Sequence, residues 1–425
     1  MKVMVIGSGG REHVIIKKLK ENPQIQTIYA LPGNGGIAND AVCVNIGVKD
    51  IDAQVRFAVE NQINYAVVTP DDPLVLGAVD RLTEAGIPCF GPTQRAAMIE
   101  GSKVFAKELM KKYGIPTAEH ETFDNADAAM DYIRAKNRYP VVIKADGLAL
   151  GKGVLICENM QQAADGIKEI MLDKKFGASG NRVVVEEYLS GPEVSVLAFT
   201  DGKTLIPMIS SMDHKRSGDF DTGLNTGGMG TIAPNPYYTK EIAQECVKTI
   251  FLPTVRAMNA EGRTFKGCLY FGLMLTKNGP KVIEYNCRFG DPEAQVVLPL
   301  LNEDLFTIMR AVTDGTLNQT SVTFRNSHAV CVIMASQGYP QSYATGFPIS
   351  MDAQVKDNIF FAGVKSEDGI LKTAGGRVLG VTAVANTAEK AMQSAYETVE
   401  HIHFENAFFR HDIGAKACAA YKKSK

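Results

Sequence analysis

Short apolar segments that favour β-strands alternate with helical patterns over the first hundred residues of the chain. The strand-like segments are Lys2–Ile6, Thr27–Ala30, Tyr65–Thr69 and Pro88–Phe90. Because strands that alternate with helices pair in parallel, this pattern predicts a parallel sheet in an α/β fold. At 425 residues the chain is too long for one ordinary core, so we expect roughly two to four domains.

Composition and charge exclude several classes of protein. The chain is 45% hydrophobic and 22% charged, as in soluble globular proteins, and its net charge of −2 gives no case for a polyanion-binding surface. No apolar run approaches membrane-spanning length, and the N-terminus reads as a strand running into glycine, not as a signal peptide. The eight cysteines are scattered without a C-x-x-C pair, which favours reduced thiols. We therefore expect a cytoplasmic protein that binds neither nucleic acid nor membrane.

The first strand ends in a glycine-rich turn, Gly7-Ser8-Gly9-Gly10-Arg11-Glu12-His13, which opens a helix. Backbone N–H groups at a helix N-terminus favour phosphate. The turn departs from a dinucleotide fingerprint, because Glu12 stands at the third glycine position and no acidic residue closes the second strand. We predict a phosphate-binding turn without a dinucleotide, and a purely structural strand-to-helix turn explains the glycines equally well.

Two further polar segments, Pro32-Gly33-Asn34 and Pro70-Asp71-Asp72-Pro73, come at the carboxyl ends of predicted strands. Open α/β sheets bind their ligands at this edge, so both segments are candidates for substrate contacts. Ordinary turn chemistry is the alternative explanation for each of them.

A new pattern begins after Gly114, with helices predicted at 125–136 and 160–172 and strands at Val141–Lys144, Val154–Cys157 and Arg182–Leu189. Between the first two strands lies the glycine-rich loop 144–153. It is not a Walker A loop, because its glycine spacing is one short and a strand follows it instead of a helix. We interpret it as a mobile flap over phosphates with Lys144 and Lys152 as counter-charges; a merely solvated loop tip is the alternative.

Two other stretches have ligand-binding character. The connector Glu186-Glu187-Tyr188 and the following Glu193 stand between strands, where backbone groups can meet an adenine edge and a carboxylate can meet ribose hydroxyls. Residues 221–230 carry four glycines after Asp213-His214-Lys215-Arg216, which leaves many backbone donors unused by regular structure. Acidic strand ends and flexible linkers are common, so neither stretch is specific alone.

The stretch Lys281–Glu293 carries the strongest chemistry. It is predicted to form a hairpin with Leu269–Leu275, and strand alternation places Glu284 and Asn286 on one face with Ile283 and Tyr285 on the other. A carboxylate and an amide oxygen side by side are hard ligands that suit Mg²⁺, and Arg288 follows as a fixed cation. A half-exposed strand without a metal remains the alternative.

Beyond residue 325 a third unit is predicted, with strands at Ala329–Met334 and Phe360–Val364 and a helix at 387–402. It shows no obvious catalytic cluster. The seven histidines of the whole chain have no metal-ligand spacing, and no Ser-His-Asp arrangement can be argued.

In this order, these segments resemble the phosphoribosylamine–glycine ligases (glycinamide ribonucleotide synthetases), a family of the ATP-grasp superfamily. The resemblance covers essentially the full chain. It is carried by Gly9–His13, Glu100–Lys103, Lys144–Ala149, Gly151–Gly153, Asp213–Arg216, Asn225–Gly230, Asn286–Glu293, Gly375–Val378 and Asp412–Gly414.

The resemblance implies a fold and a reaction. The expected domains are an N-terminal Rossmann-like (pre-ATP-grasp) parallel α/β domain at 1–102, an ATP-grasp domain at 103–325 with a mobile lid at about 118–190, and a small C-terminal α+β domain at 326–425. The expected reaction joins glycine to 5-phosphoribosylamine, with ATP converted to ADP and phosphate, through a glycyl phosphate, in purine biosynthesis. We expect a monomer whose partners are these small molecules.

The resemblance also implies roles at the ATP end of the site. Glu284 and Asn286 would hold Mg²⁺ or Mn²⁺. The expected ATP contacts are Lys103, Lys144 and Lys152 for the phosphates, Gly151 and Gly153 in the flap, Glu186, Glu187 and Tyr188 for adenine, and Glu193 for ribose.

At the substrate end, Arg288 would stabilise the charge that passes from the γ-phosphate to the acyl phosphate, and Lys152 and Asp213 are the other catalytic groups implied. Gly9, Gly10 and Asn34 would form the wall for the ribose phosphate. The complete set of expected substrate contacts is Gly9, Gly10, Asn34, Asp71, Asp213, Asn225, Gly227, Gly228, Arg288, Gly290 and Asp291.

Three positions depart from the pattern of the family. Asp71 stands where a glutamate is usual, Leu224 replaces a usual proline, and the strand at Leu269–Leu273 lacks the acid that would complete a second metal site. A ligase for another carboxylate and amine, or a nucleotide-binding protein that kept the fold, are the competing interpretations. A dehydrogenase is disfavoured by the missing third glycine and ribose acid.

Overall fold

The computed structural model describes residues 1–148, 153–352, 355 and 359–423. Its N-terminal region contains a five-stranded parallel sheet with the strand order β3-β2-β1-β4-β5. Its elements are β1 (Lys2–Gly7), α1 (Gly10–Lys20), β2 (Thr27–Pro32), β3 (Val42–Cys43), α2 (Ile51–Glu60), β4 (Tyr65–Val68), α3 (Asp71–Val75), α4 (Ala78–Glu84), β5 (Cys89–Phe90) and α5 (Gln94–Gly101). The parallel sheet predicted from the alternation of strands and helices is confirmed.

The middle strand β1 explains why this region reads as apolar. Val3 and Val5 pack into one hydrophobic core, whereas Met4 and Ile6 pack into another, and all four are fully buried. A strand with both faces covered has no position for a polar side chain, so its sequence is continuously apolar.

The central region contains two four-stranded antiparallel sheets, ordered β6-β9-β7-β8 and β11-β10-β16-β17, and a small hairpin of β13 and β14. Its elements are α6 (Lys103–Tyr113), β6 (His120–Phe123), α7 (Ala126–Lys136), β7 (Val141–Ala145), β8 (Val154–Cys157), α8 (Met160–Ile167), β9 (Val183–Glu187), β10 (Glu193–Thr200), β11 (Leu205–Pro207), β12 (Met212–Asp213), β13 (Arg216–Gly218), β14 (Thr222–Asn225), β15 (Gly230–Ala233), α9 (Lys240–Cys246), α10 (Leu252–Ala260), β16 (Gly267–Thr276) and β17 (Gly279–Asn286).

The C-terminal region is built on a sheet ordered β12-β15-β18-β23-β20, with β25 paired to β18. Its further elements are α11 (Ala294–Val297), α12 (Leu305–Asp314), β18 (His328–Ser336), β19 (Ser350–Met351), β20 (Ile359–Phe361), β21 (Val364–Glu367), β22 (Ile370–Thr373), β23 (Arg377–Ala385), α13 (Ala388–Val399), β24 (Ile402–His403), β25 (Ala407–Phe408) and α14 (Ala415–Lys423). Two of the paired strands, β12 and β15, precede residue 325. The sheet therefore crosses the domain boundary that we expect at 325/326.

The helical stretch from α9 to α10 is interrupted. Between α9 and α10, residues Val247–Phe251 form a wider π-helical turn, and Pro253 lies in the first turn of α10. Proline has no N–H to donate to the preceding turn, so the regular ladder loosens there. The predicted helix at 160–172 likewise ends as a π-helical turn over Lys168–Leu172.

None of the helices in the described ranges is long and apolar enough to cross a membrane. All eight cysteines are free; seven are buried and Cys43 is exposed.

Helix α1 is joined directly to β20 of the C-terminal sheet through a buried histidine. The ring of His13 accepts a hydrogen bond at Nδ1 from the Phe361 N–H (2.8 Å) and stacks on the Phe361 ring at 5.6 Å. Because Nδ1 accepts, the proton resides on Nε2, which lies 3.0 Å from Asp40 Oδ2. Burial lowers the pKa of His13, so the imidazole stays neutral in this contact.

Gly36 packs against the same Phe361 ring. A Cβ at this position would lie 2.1 Å from Cγ of Phe361, although the backbone of Gly36 (φ −84°) is accessible to any residue. We therefore expect Gly36→Ala to lower the free energy of unfolding by about 1–3 kcal/mol through overpacking alone. Urea denaturation followed by circular dichroism measures this.

Gly47→Ala is the matched control, because a Cβ there meets nothing within 4 Å. We expect its stability to stay within about 1 kcal/mol of the unsubstituted protein. Equal destabilisation by both substitutions would contradict a specific contact between Gly36 and Phe361.

Candidate active site

The strand β17 carries the polar face that opens into a cleft between the two central sheets. Its pairing with β16 shifts between Gly272 and Leu273, which face Glu284 and Val282 respectively. Ile283 is therefore an extra residue in a β-bulge. The expected alternation is corrected at this point: Val282, not Ile283, shares the buried core with Tyr285.

Glu284 lies at the centre of a group of lysines. Lys215 Nζ is 3.5 Å from Glu284 Oε1 and 3.7 Å from Glu193 Oε2. The charge of Lys215 lowers the pKa of Glu284, against an opposing effect of burial, and Lys144 and Lys103 lower it further. Glu284 is thus a carboxylate held in its ionised form.

The first lysine of the glycine-rich loop connects the two central sheets. Lys144 Nζ donates to the carbonyl oxygen of Ile283 in β17 (3.0 Å) and lies 3.0 Å from Glu186 Oε1 in β9. The other oxygen of Glu186 pairs with Lys107 at 3.0 Å, and both of these side chains are almost completely buried. Burial lowers the pKa of Lys107 to about 8, although Glu186 opposes that effect.

These contacts decide what the connector 186–188 can offer to a ligand. The carboxylate of Glu186 is engaged by two buried lysines, whereas Glu187 points the other way and accepts from Lys281 Nζ at 2.7 Å. Tyr188 is 45% exposed. The connector can therefore present backbone groups and the Tyr188 ring, but not the Glu186 carboxylate.

Hydrogen bonds connect the start of α6 to Asp146 and Gly147 of the glycine-rich loop 144–153. Ser102 caps the helix by accepting from the Phe105 N–H and donates to Asp146 Oδ1 at 2.9 Å. Lys103 Nζ donates to the Gly147 carbonyl at 2.6 Å, and burial lowers the pKa of this lysine. The predicted flap residues Gly151 and Lys152 lie outside the described residues; Gly153 accepts from the Ala145 N–H through its carbonyl oxygen.

Arg288 forms ion pairs with carboxylates from two other segments of the chain. Its Nη2 lies 2.7 Å from Glu100 Oε1 and 3.9 Å from Asp71 Oδ2, while Glu100 Oε2 accepts from the Cys287 N–H. Burial raises the pKa of Asp71, but Arg288 and Arg11 outweigh it and bring the pKa below its usual value. In the part of the chain that the structure describes, Nε of Arg288 is buried without a hydrogen-bond partner.

Asp213 faces the glycine-rich loop 225–230. Gly228 has φ +111°, and a Cβ there would lie 2.7 Å from Asp213 Oδ1 and 2.5 Å from Pro292 Cδ, so only glycine fits. Burial and the neighbouring carboxylate of Glu293 raise the pKa of Asp213 well above its usual value. Asn225 is exposed at the end of β14.

The predicted ribose-phosphate wall is more acidic than expected. The Gly9 N–H donates to Glu12 Oε2 at 2.6 Å, and a Cβ at Gly9 would lie 3.2 Å from Asp291 Oδ2. At Gly10, a Cβ would meet Gln295 Nε2 at 2.7 Å. Each of these two carboxylates is paired with an arginine: Glu12 Oε1 lies 2.6 Å from Arg11 Nε, and Asp291 Oδ2 lies 3.4 Å from Arg377 Nη2.

Asn34 uses both ends of its amide within the fold. Its nitrogen donates to the carbonyl oxygens of Ser8 (2.8 Å) and Phe361 (3.1 Å), and its oxygen accepts from the N–H groups of Gly36 and Ile37. A substrate contact through this side chain would have to replace one of these bonds.

Contacts link these groups into one site. Lys215, two residues after Asp213, pairs with Glu284. In the amide orientation that satisfies its neighbours, Asn286 donates its amide nitrogen to Glu100 Oε1 at 3.0 Å. The same oxygen of Glu100 pairs with Arg288. Gly290 and Asp291 come shortly after the end of β17 at Asn286, and Asp291 lies beside the Gly9 turn. Direct contacts thus bring sequence-predicted residues from separate segments of the chain together.

Four residues of the site were given no role by the sequence reasoning: Glu100, Lys107, Lys215 and Arg377. Three of them stand inside segments that carry the family resemblance, so their position in a motif was an available signal. The signal for Lys107 was weaker: this lysine lies four residues after Lys103 and therefore shares a helix face with it.

The donor set fits a divalent cation that keeps most of its own ligands. Glu284 is ionised, and the Asn286 orientation that donates nitrogen to Glu100 leaves its oxygen on the opposite side of the amide. These are two hard oxygen ligands, as Mg²⁺ prefers. Among the described residues no three His, Cys, Asp or Glu side chains form a metal-binding group, so waters and phosphates would complete the shell.

Comparison with known families agrees with this architecture. Residues 1–100, 101–294 and 329–416 match, respectively, the N domain, the ATP-grasp (A) domain and the C domain of phosphoribosylglycinamide synthetase. The chain belongs to the phosphoribosylglycinamide synthetase family. The predicted family resemblance and fold class are confirmed.

Relatives of this family match along the whole chain. The phosphoribosylamine–glycine ligase of Clostridium acetobutylicum is 45% identical over 97% of this chain and 99% of that protein, and that of Caldanaerobacter subterraneus is 46% identical over 98% and 100%. The crystal structure of the Thermotoga maritima enzyme superposes with a TM-score of 0.87 at 33% identity and covers 97% of this chain and 100% of that one.

A more distant structure shares the fold alone. The biotin carboxylase domain of the Hydrogenobacter thermophilus 2-oxoglutarate carboxylase is 17% identical, with a TM-score of 0.74, and covers 96% of this chain and 91% of that one. The arrangement of the three regions therefore also occurs outside the phosphoribosylglycinamide synthetase family.

The buried ring of His214 predicts that the stability of the folded protein depends on pH. It is 3% exposed, its Nδ1 lies 3.1 Å from the Gly230 carbonyl, and its Nε2 accepts from the Gly414 N–H at 3.4 Å. Burial and then the charge of Arg410 lower its pKa from 6.5 to about 4. The unfolded chain therefore binds more protons between these values, and stability falls as the pH drops from 6.5 to 4.

We expect this histidine to remove about 3 kcal/mol of stability across that interval. His214→Asn keeps a donor near the Nδ1 position without titrating, so its unfolding free energy should change less over the same pH range. Chemical denaturation at stepwise pH measures both curves. Parallel curves for the two proteins would contradict the prediction.

Proposed function

We propose that this protein joins glycine to 5-phosphoribosylamine with conversion of ATP to ADP and phosphate, giving glycinamide ribonucleotide in purine biosynthesis. Full-length membership of the phosphoribosylglycinamide synthetase family supports this substrate pair. The observation that carries the proposal is the convergence of three lysines on the ionised Glu284 beside Arg288. Such a cleft suits phosphoryl transfer, which depends on positioning and neutralisation of charge.

At the ATP end, Lys103 and Lys144 would contact the phosphates, joined by Lys152 of the flap. Both described lysines are already oriented, by the Gly147 carbonyl and by Glu186 with the Ile283 carbonyl. Adenine would meet the backbone of the connector 186–188, since the Glu186 carboxylate is occupied. Glu193, partly exposed beside Lys215, is the candidate for the ribose hydroxyls.

Glu284 and Asn286 would hold Mg²⁺ or Mn²⁺. When bound there, the cation would neutralise part of the negative charge of the phosphates. Lys215 now offsets the charge of Glu284, so it becomes available to a substrate oxyanion when the carboxylate gains another cation.

The carboxylate of glycine would attack the γ-phosphorus, giving a glycyl phosphate. Arg288 stands two residues beyond Asn286, where its positive charge can stabilise the negative charge of the oxygens being transferred. Asp213 would pair with the amino group of glycine. Its raised pKa does not prevent this, because a neighbouring ammonium favours the ionised carboxylate.

The nitrogen of 5-phosphoribosylamine would then displace phosphate from the glycyl carbon. The turn at Gly9 and Gly10, where the carboxylates of Glu12 and Asp291 are paired with arginines, would face the ribose phosphate. Asp71 is held ionised by Arg288 and Arg11 and can accept from the ribosylamine. The free thiols of the chain fit a reducing cytoplasm.

The direct test is ADP release from the purified protein with ATP, Mg²⁺ and freshly generated phosphoribosylamine, with and without glycine. Release that requires both substrates is the expected result. Release with another acid or amine would move the proposal to a different ATP-dependent ligase, and ATP binding without turnover would favour a binding protein.

We expect Glu284→Gln to lower kcat for glycine-dependent ADP release by roughly 100-fold or more, because a neutral amide holds a cation more weakly than a carboxylate and does not balance the charge of three lysines. The apparent affinity for Mg²⁺ should weaken in the same variant. Glu121→Gln is the control, since Glu121 is a half-buried residue of β6 whose ion-pair partner, Lys111, lies 3.6 Å away. Unchanged turnover in Glu284→Gln would exclude the assigned role.

We expect Asp71→Asn to raise KM for phosphoribosylamine by roughly 10-fold while KM for ATP stays unchanged, because the lost charge lies at the substrate end. Its neighbour Asp72 pairs with Lys49 at 2.9 Å, so Asp72→Asn is a matched control that should leave both constants unchanged. A change in KM for ATP alone would contradict the placement of Asp71.

A further inference from the structure

One guanidinium of the C-terminal sheet contacts both loops beside Asp213. Arg377, the first residue of β23, donates through Nη1 to the carbonyl oxygens of Gly227 (2.7 Å) and Asp291 (2.8 Å). The same atom lies 3.4 Å from the Gly228 carbonyl, and Nη2 lies 3.4 Å from Asp291 Oδ2. Arg377 therefore joins two segments that are more than sixty residues apart in the chain.

A tyrosine of the same region completes this contact. The hydroxyl of Tyr339 accepts from the Gly227 N–H at 3.0 Å. A Cβ at Gly376 would lie 2.2 Å from the Tyr339 ring, and a Cβ at Gly227 would lie 3.0 Å from Cζ of Arg377. The N–H and the carbonyl of Gly227 are thus each held by a side chain, and a Cβ at this position would press on the guanidinium of Arg377.

The contacts of Arg377 and Tyr339 with Gly227 determine where the loop 225–230 lies relative to Asp213. Gly228 sits between Pro292 and Asp213, so its position depends on the two backbone segments that Arg377 holds together. Without the guanidinium, the carbonyls of Gly227 and Asp291 face each other without a shared donor, and the loop can move away from Asp213. The ATP-end lysines have a different support, because Lys103 and Lys144 contact Gly147 and Ile283.

We propose that Arg377, assisted by Tyr339, is a positioning residue for the amino-acid substrate, through which the C-terminal domain sets the apparent affinity for glycine and not for ATP. The inference rests on the proposed function, in which Asp213 and the loop 225–230 bind glycine. Arg377 acts through the loop backbone and does not itself meet the reacting atoms.

The test compares Arg377→Met, Arg377→Lys and Tyr339→Phe with the unsubstituted protein, by steady-state kinetics in each substrate. Arg325, exposed just before the start of the C-terminal domain, provides the control Arg325→Met. We expect Arg377→Met to raise KM for glycine by roughly 10-fold or more and KM for ATP by less than about 2-fold. Arg377→Lys should recover part of the loss, and Tyr339→Phe should raise KM for glycine by about 2- to 5-fold.

A purely structural role would give another result. Arg377→Met would then lower the thermal midpoint and kcat while both KM values change together, and this outcome would overturn the inference. If turnover becomes too slow to measure, calorimetric titration decides the question: retained affinity for a non-hydrolysable ATP analogue with weakened glycine binding supports it, and equal losses overturn it.

Failure of the proposed function has a separate signature. It would show in the unsubstituted protein, as ADP release that does not depend on glycine. A glycine-dependent unsubstituted protein whose Arg377 variants keep their KM for glycine would instead overturn only the role of Arg377.

Discussion

The ionised carboxylate of Glu284 is the interaction on which the site depends. Three lysines from three different elements, Lys103, Lys144 and Lys215, approach it and lower its pKa, and each of them is held in turn by another group. Cations this close repel one another, so they can share a cleft only with an anion between them. The same balance makes the cleft receptive to a cation together with phosphate oxygens.

The C-terminal sheet has a more direct part in this site than a bracing domain would have. Because β12 pairs with β15, β15 with β18 and β18 with β23, the strand that carries Asp213 belongs to the same sheet as the strand that carries Arg377. A hydrogen-bonded sheet transmits position well, since its strands cannot slide without loss of a row of bonds. Two strands of one sheet, one that carries Asp213 and one that carries Arg377, therefore position the loop 225–230.

Local patterns predicted much of this architecture. The parallel sheet, the glycine-rich loop between β7 and β8, and the shared face of Glu284 and Asn286 follow from periodicity and turn residues, which act over a few positions. The bulge at Ile283 and the π-helical turn before Pro253 were missed. Both are single-residue adjustments of a regular element, and such adjustments depend on what the element packs against.

The sequence by itself determined the element types, the family and the residues that face the cleft from β17. Only the tertiary structure decided the partners: Glu186 with Lys107 and Lys144, Arg288 with Glu100 and Asp71, and Arg377 with the carbonyls of Gly227 and Asp291. These groups come from distant parts of the chain, and they pair because burial removes water from them together. No local pattern of residues records that shared loss of water.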